Sequence, residues 1–291
     1  MDHTWKFWAL GGDQRQVWMS RLLAQEGHTV FTYGMEDGVK PQPHLFIESH
    51  LEGIGAADCV LLPLPVTDGQ GNLNAPLSAW QHPLLPILDR LNCRQVVLGG
   101  RIDATTVAAA RARGLTLLDY FDREELAVAN SVPTAEGCLQ IAMEHLPSTI
   151  HGTRTLILGF GRVGRVTAHR FSALGARVTV AARRCETRTQ CQVWGYEAMP
   201  LPLNPEQLHR FDLVINTVPA LLLGVEELGA LSPDCLVIDL ASRPGGVDFE
   251  SAARLRRTAI HALSLPGKVA PAAAGAAIKN TVCSMLLELG I

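Results

Sequence analysis

The residue types and spacing that most directly imply chemistry are those of Gly159, Phe160, Gly161, Arg162, Val163 and Gly164. This Gly-x-Gly-x-x-Gly string follows an apolar run at 155–158 and opens a stretch of helical character. In such a string the first glycine permits a tight turn, the second lets a pyrophosphate approach the backbone, and the third lets helix and strand pack closely. The helix N-terminus then offers N–H groups to the phosphates. The spacing predicts dinucleotide binding; a glycine-rich turn without a ligand is the alternative. The choice of dinucleotide falls at the end of the next strand, where an NAD site carries an acid about 20 residues after the first glycine. Here the strand over 178–182 ends in Arg183 and Arg184, with no carboxylate before Glu186. Paired guanidinium groups suit a 2′-phosphate, which favours NADP, although two adjacent arginines can also be simple solubility charges.

Three further loops are expected at the same carboxyl edge. Thr217, Val218 and Pro219 end one strand, and Asp239 and Leu240 end the next; both sets are expected to line the cofactor. Arg243, followed by Pro244, Gly245 and Gly246, stands where a guanidinium can hold a substrate carboxylate beside the nicotinamide. The string 265–271, with Lys268, follows the sixth strand. The histidines mark no catalyst. None has metal-ligand spacing, His44 and His50 read as surface residues, and His261 reads as a hydrogen-bonded structural group. No Gly-x-Ser-x-Gly elbow is present. Seven cysteines without a CxxC pair fit reduced thiols in a cytoplasmic protein, and no metal site is expected.

These residues need a scaffold, and the rest of the chain supplies its pattern. Short apolar runs alternate with helical stretches in two rounds, the first from residue 5 and the second from residue 153. Such alternation predicts an α/β protein of two doubly wound parallel-sheet lobes with a cleft between them, the second an NAD(P)-binding Rossmann domain. Expected boundaries are 1–129 for a flavodoxin- or Rossmann-like substrate lobe and 130–270 for the NADP-binding domain. The segment 271–291 is expected to be a C-terminal helix returning to the first lobe. Asp13 and Gln16 have capping-box spacing, as do Asn204 and Gln207 with Pro205 at the first position. Pro133 reads as the first turn of a helix that starts near Asn130, at the junction, and reaches about His145. A length of 291 residues accommodates two domains, and 47% apolar against 18% charged residues is globular composition. A net charge of −3 gives no footprint for nucleic acid. No apolar run approaches the ~18 residues of a spanning helix, and the N-terminal stretch lacks the pattern of a secretory signal.

With those residues quoted, the chain resembles the A-subunit family of dipicolinate synthase. The resemblance lies in Gly11-Gly12-Asp13-Gln14-Arg15-Gln16, Asn130-Ser131-Val132-Pro133-Thr134-Ala135-Glu136-Gly137, Ile150-His151-Gly152 and the 159–164 string. It continues through Asn216-Thr217-Val218-Pro219-Ala220, the block 238–249 and the block 265–271. It implies an NADP-dependent oxidoreductase subunit that works with a flavoprotein B subunit. The implied reaction converts 4-hydroxytetrahydrodipicolinate, a cyclic intermediate of the lysine pathway, to dipicolinic acid of bacterial spores by dehydration and oxidation. Under that resemblance Arg243 is the first candidate for a substrate carboxylate and Arg15 the second. Ser131, Thr134 and Glu136 are candidates to orient the ring nitrogen or move a proton. A homo-oligomer is expected at the level of the class. Two positions depart from the family pattern: Arg243 stands where a lysine is common, and Lys268 stands where an apolar residue is expected.

Two rival readings remain. The string 242–248 is similar to the arginine block of D-2-hydroxyacid dehydrogenases, which would also need a general acid–base histidine, with His261 the nearest candidate. The other is a non-catalytic NADP-binding scaffold for a flavoprotein.

Overall fold

The structure, a computed structural model, describes residues 4–290; the first three residues and Ile291, the last residue of the expected 271–291 segment, lie outside them. The chain divides into two compact units, Met1–Ala129 with Ala270–Ile291, and Asn130–Val269. In the first unit the elements run β1 (Lys6–Leu10), α1 (Gln14–Gln25), β2 (Thr29–Tyr33), β3 (Leu45–Glu48), β4 (Cys59–Leu61), α2 (Leu84–Leu88), β5 (Val96–Gly99), α3 (Ala104–Arg111) and β6 (Leu117–Asp119). They form one parallel sheet in the order β3-β2-β1-β4-β5-β6. Strands at the centre of a parallel sheet are covered on both faces, so they read as unbroken apolar runs. Phe7, Trp8, Ala9 and Leu10 of β1 and Cys59, Val60 and Leu61 of β4 are accordingly at most 1% exposed. Phe7, Ala9 and Leu61 face one apolar layer, and Trp8, Leu10 and Val60 the other.

The helix α4 (Glu124–His145) corrects the expected start near Asn130, because it begins six positions earlier in sequence and carries Pro133 in its interior. Glu124 and Glu125 in its first turn complement the helix dipole, a start signal that outweighs the proline. Pro133 is buried, and its ring leaves one carbonyl of the preceding turn without its usual N–H donor.

The second unit contains β7 (Arg154–Leu158), α5 (Arg162–Ala173), β8 (Arg177–Ala182), α6 (Cys185–Val193), β9 (Glu197–Pro200), β10 (Leu213–Asn216), α7 (Val225–Ala230), β11 (Leu236–Asp239), α8 (Phe249–Arg254), β12 (Thr258–His261) and α9 (Leu265–Val269). Its parallel sheet has the order β12-β11-β10-β7-β8-β9. Counted within each unit, both sheets read 3-2-1-4-5-6, the Rossmann order, which sets the first unit apart from the flavodoxin order 2-1-3-4-5. The segment capped by Asn204 is a 3-10 turn, Pro205–Arg210. The last helix, α10 (Pro271–Glu288), lies along α1, and its Ile278, Val282, Met285 and Leu286 join the apolar layer under β1. A Cβ at Gly275 would stand 2.6 Å from the Arg15 carbonyl oxygen, so this glycine lets the two helices approach closely. No helix among the described residues is long and apolar enough to cross a membrane.

Candidate active site

In each unit the strand order reverses at one point, between β1 and β4 and between β7 and β10, and α/β sheets bind ligands at the carboxyl ends of such strands. At the second of these points the chain leaves β7 through Gly159, whose φ of +93° is a left-handed conformation that only glycine adopts without strain. A Cβ there would also stand 2.7 Å from Thr217 Oγ1 and from Val218 Cγ2. At Gly164 a Cβ would collide with the Gly159 carbonyl oxygen, so the third glycine sets how closely α5 packs on the turn. Gly161 differs from both: nothing lies within 4 Å of the position its Cβ would take. It is the N-cap of α5, and no side chain caps the first turn. Open space at the middle glycine and an uncapped helix N-terminus fit the pyrophosphate of a dinucleotide. Arg162 is exposed and Val163 half-buried on the same turn. Phe160 is buried, edge-on to Trp194 and Tyr196, while Arg165 Nε donates to its carbonyl at 3.1 Å.

The neighbouring strand ends are tied together around Asp239. Its carboxylate, fully buried at the end of β11, accepts from Asn216 Nδ2 at 2.7 Å and from the Ala241 and Gly246 N–H groups at 3.0 and 2.8 Å. Asn216 Nδ2 also donates to the Val218 carbonyl at 2.9 Å, and Asn216 Oδ1 accepts from Val218 N–H at 3.1 Å. Thr217 Oγ1 donates back to Leu158 at 2.8 Å. The Asp239 side chain was expected against the cofactor; instead it faces inward and shapes the loop that carries Arg243. Sequence reasoning quoted Asn216 but gave it no role, because its partner is 23 positions away. Leu240 is half-buried beside this network, and Pro219 and Arg243 are exposed. His261 Nε2 lies 3.2 Å from the Ala241 carbonyl and its ring stacks on Phe249, a structural placement.

At the end of β8, Arg183 and Arg184 are both exposed, and Arg184 lies 3.8 Å from Glu186. Arg188 of α6 was not singled out from sequence, yet its Nη1 donates to the Ala182 and Arg183 carbonyls and fixes the turn that presents the pair.

Each remaining candidate is placed within its own unit. Arg15 grips the protein's own Asp13 through Nε and Nη2 at 2.8–3.1 Å and donates to the Leu64 carbonyl at 2.8 Å. The N-terminus of α1 is thus already served by a carboxylate, at the place where α5 leaves its own open. On α4, Ser131 and Thr134 share a face, with Ser131 buried and Thr134 Oγ1 donating to the Asn130 carbonyl at 2.7 Å. Glu136 is exposed on another face, with Arg170 at 3.8 Å. Lys268 is exposed on α9. Burial pushes the Cys138, Cys191 and Cys235 thiols up, Cys235 to about 12, which leaves them poor nucleophiles. Among the described residues no group of three or more His, Cys, Asp or Glu side chains is placed to hold a metal ion.

The second unit is therefore a nicotinamide-dinucleotide-binding Rossmann domain of the dehydrogenase class, and comparison with known families agrees. A model for the D-isomer specific 2-hydroxyacid dehydrogenase NAD binding domain matches residues 117–251, and one for the N-terminal domain of the dipicolinate synthase A subunit matches residues 6–121. The A subunit of dipicolinate synthase from Bacillus subtilis (strain 168) is 32% identical over 98% of this chain and 96% of its own length. The crystal structure of the A subunit from Bacillus halodurans superposes with a TM-score of 0.90 at 30% identity, covering 97% of each chain. The corresponding crystal structure from Bacillus subtilis gives 0.87 at 31%, covering 100% of this chain and 98% of its own. The chain belongs to the A-subunit family of dipicolinate synthase.

Proposed function

We propose that the chain is the NADP-dependent oxidoreductase subunit of a dipicolinate synthase. It would convert 4-hydroxytetrahydrodipicolinate to dipicolinic acid in the cytoplasm of a sporulating bacterium, as a homo-oligomer working with a flavoprotein B subunit. The conversion removes one water, one hydride and one proton and leaves an aromatic ring, so the protein's task is positioning rather than driving force. NADP⁺, when bound, supplies the acceptor for the hydride.

The observation that carries the oxidoreductase reading is the turn at Gly161, open where a pyrophosphate would lie and set on an uncapped helix. The full-length likeness to the dipicolinate synthase A subunit supports the substrate. Arg183 and Arg184 would take the 2′-phosphate, with Gly159, Phe160, Arg162, Val163, Gly164, Thr217, Val218, Pro219 and Leu240 around the rest of the cofactor. Arg243 would hold one substrate carboxylate, positioned by Asp239. Arg15 remains a candidate for the second carboxylate only as a group shared with Asp13. Ser131 and Thr134, which share a face of α4, would orient the substrate together; Glu136 lies on a different face.

The test is to mix purified chain, flavoprotein partner, freshly generated 4-hydroxytetrahydrodipicolinate and NADP⁺, and to follow dipicolinate by mass spectrometry alongside NADPH. Dipicolinate should form only when this chain is present, with NADPH in step. Equal formation by the flavoprotein alone would reduce the chain to a scaffold. The dehydrogenase domain match keeps a 2-hydroxyacid dehydrogenase as the second reading. The bonding of His261 within its own unit argues against it, and NADPH should not be consumed with simple 2-oxo acids.

A further inference from the structure

In the second unit Glu136 lies against Arg170 and His261 against the Ala241 carbonyl, whereas the first unit holds a chain of four hydrogen-bonded side chains. Tyr33 Oη lies 3.0 Å from His82 Nδ1, and His82 Nε2 lies 2.8 Å from Ser78 Oγ. Ser78 Oγ in turn donates to Glu36 Oε1 at 2.6 Å. The protons in this chain have one consistent arrangement. A carboxylate only accepts, so the single Ser78 hydroxyl proton goes to Glu36, and Ser78 must accept from His82 Nε2–H. The Trp80 N–H also donates to Ser78 Oγ, at 3.2 Å, so both oxygen lone pairs are used. The neutral imidazole is then bare at Nδ1 and accepts the Tyr33 phenol proton.

Placement marks the cluster as more than a stabilising contact. Tyr33 is the last residue of β2, one strand away from the β1–β4 point where the strand order reverses, and its carbonyl accepts from Gly11 N–H at 2.8 Å. The long loop after β4 brings Ser78 and His82 back over this edge, held by Gly12 N–H to Asn74 and Leu73 N–H to His82, each 2.8 Å. His82 is 8% exposed, Tyr33 half-buried and Glu36 exposed, so a buried imidazole lies between a half-buried phenol and an exposed carboxylate residue. Gly34, with φ of +71°, makes room for it: a Cβ there would stand 3.2 Å from His82 Nε2. Burial lowers the His82 pKa, opposed by Glu36. Burial and Glu36 raise that of Tyr33, opposed by Arg90. Both groups therefore rest neutral, the state from which a phenol can hand its proton to an imidazole.

We propose that Tyr33, His82, Ser78 and Glu36 form a proton relay serving the dehydration, with Tyr33 as its catalytic residue and the other three as positioning and charge-balancing groups. Tyr33 Oη forms an O–H bond with the proton leaving a ring carbon, while its own proton moves to His82 Nδ1. The C–H electron pair becomes the new ring double bond as the neighbouring hydroxyl departs. The proton returns from His82 through Tyr33 to that departing oxygen, so that the product is water and the relay ends as it began. Glu36, through Ser78, balances the transient imidazolium. The substrate in this step rests on the reading given above.

Two measurements test the relay on the full chain. With the flavoprotein partner, Tyr33→Phe should lower the rate of dipicolinate formation by about 100-fold or more while leaving NADP binding unchanged. Glu36→Gln and Ser78→Ala should give smaller losses, and Glu36→Gln should move the acidic limb of the pH–rate profile to lower pH. A Tyr33→Phe rate within about threefold of wild type would overturn the proposal. Histidine-labelled nitrogen NMR of the protein alone should find His82 as the Nε2–H tautomer at neutral pH, with an Nδ1 resonance that shifts in Tyr33→Phe. An Nδ1–H tautomer or an unmoved resonance overturns the relay whatever the substrate. If wild type forms no dipicolinate while the expected tautomer and shift are found, the substrate reading fails and the relay is supported.

Discussion

At the end of β8 the chain places two exposed guanidinium groups where a site for the unphosphorylated ribose would carry an acid. A hydrogen bond involving a charged group contributes about 1.5–3 kcal/mol, roughly 10- to 100-fold in affinity. The Arg183→Ala, Arg184→Ala double variant should therefore bind NADP about 10-fold more weakly or worse and NAD almost as before, which fluorescence titration would resolve. Equal loss for both nucleotides would remove the 2′-phosphate from the account. Arg243 and Asp239 make a second residue-level contrast. Arg243 is exposed, so Arg243→Met should raise the substrate KM by about 10-fold or more with NADP affinity and stability unchanged. An unchanged KM would sink its role as an anchor. Asp239 faces three donors from inside the protein, and an amide in its place offers one oxygen and a competing donor. Asp239→Asn should raise the same KM and also lower stability by about 1–3 kcal/mol in urea denaturation, because a buried N–H loses its acceptor.

Among elements, the two helices that follow the first strand of each sheet use one position in opposite ways. Asp13 closes a capping box on α1, accepting from Arg15 N–H while Gln16 accepts from Asp13 N–H, and α5 carries no side-chain cap. Asp13→Ala should lower stability by about 1–2 kcal/mol, the ordinary range for a lost cap, measured by urea midpoint. A loss near zero would mean that Arg15 and Gln16 hold the helix start without it. This cap was legible from the spacing of Asp13 and Gln16, and so was the alternation of apolar runs with helical stretches. The start of α4 was not, because Pro133 mimics a first-turn proline while the informative residues, Glu124 and Glu125, are common surface types. The edge strand β9 was implied by a count of six strands but not located, for a related reason: four residues ending in proline carry little apolar signal. The relay was beyond reach from sequence, since Tyr33 and His82 are 49 positions apart and only the loop after β4 brings them together. Clusters set by long-range closure leave no local pattern, whereas a phosphate turn is local and legible.

Over the whole molecule, the same cluster enters the pH dependence of folding. The His82 pKa lies below its ordinary value of 6.5 because burial disfavours the charged ring, with Glu36 opposing. A folded-state value below the unfolded one means that the unfolded chain binds more protons as the solution is acidified. Its contribution is thus fully present above about pH 6.5 and is lost as pH falls through the folded value. Carboxylates act lower. Asp212 is held below 3.8 by hydrogen bonds from the Arg154 side chain, against burial, and Asp68 by the Asn72 side chain and the Gln70 N–H. Their contributions are present above about pH 4 and disappear below it. Acid unfolding should therefore show two regions, a shallow loss beginning near pH 6.5 and a steeper one below about pH 4. Replacing His82 with glutamine removes a titrating ring from the upper region alone. Urea midpoints at pH 7.5, 5.5 and 3.5 would show this as a smaller drop between the first two values in His82→Gln than in wild type, with the drop between the last two preserved. Equal drops in the upper interval would mean that His82 is not held neutral by its surroundings, and the resting state from which Tyr33 passes its proton would go with it.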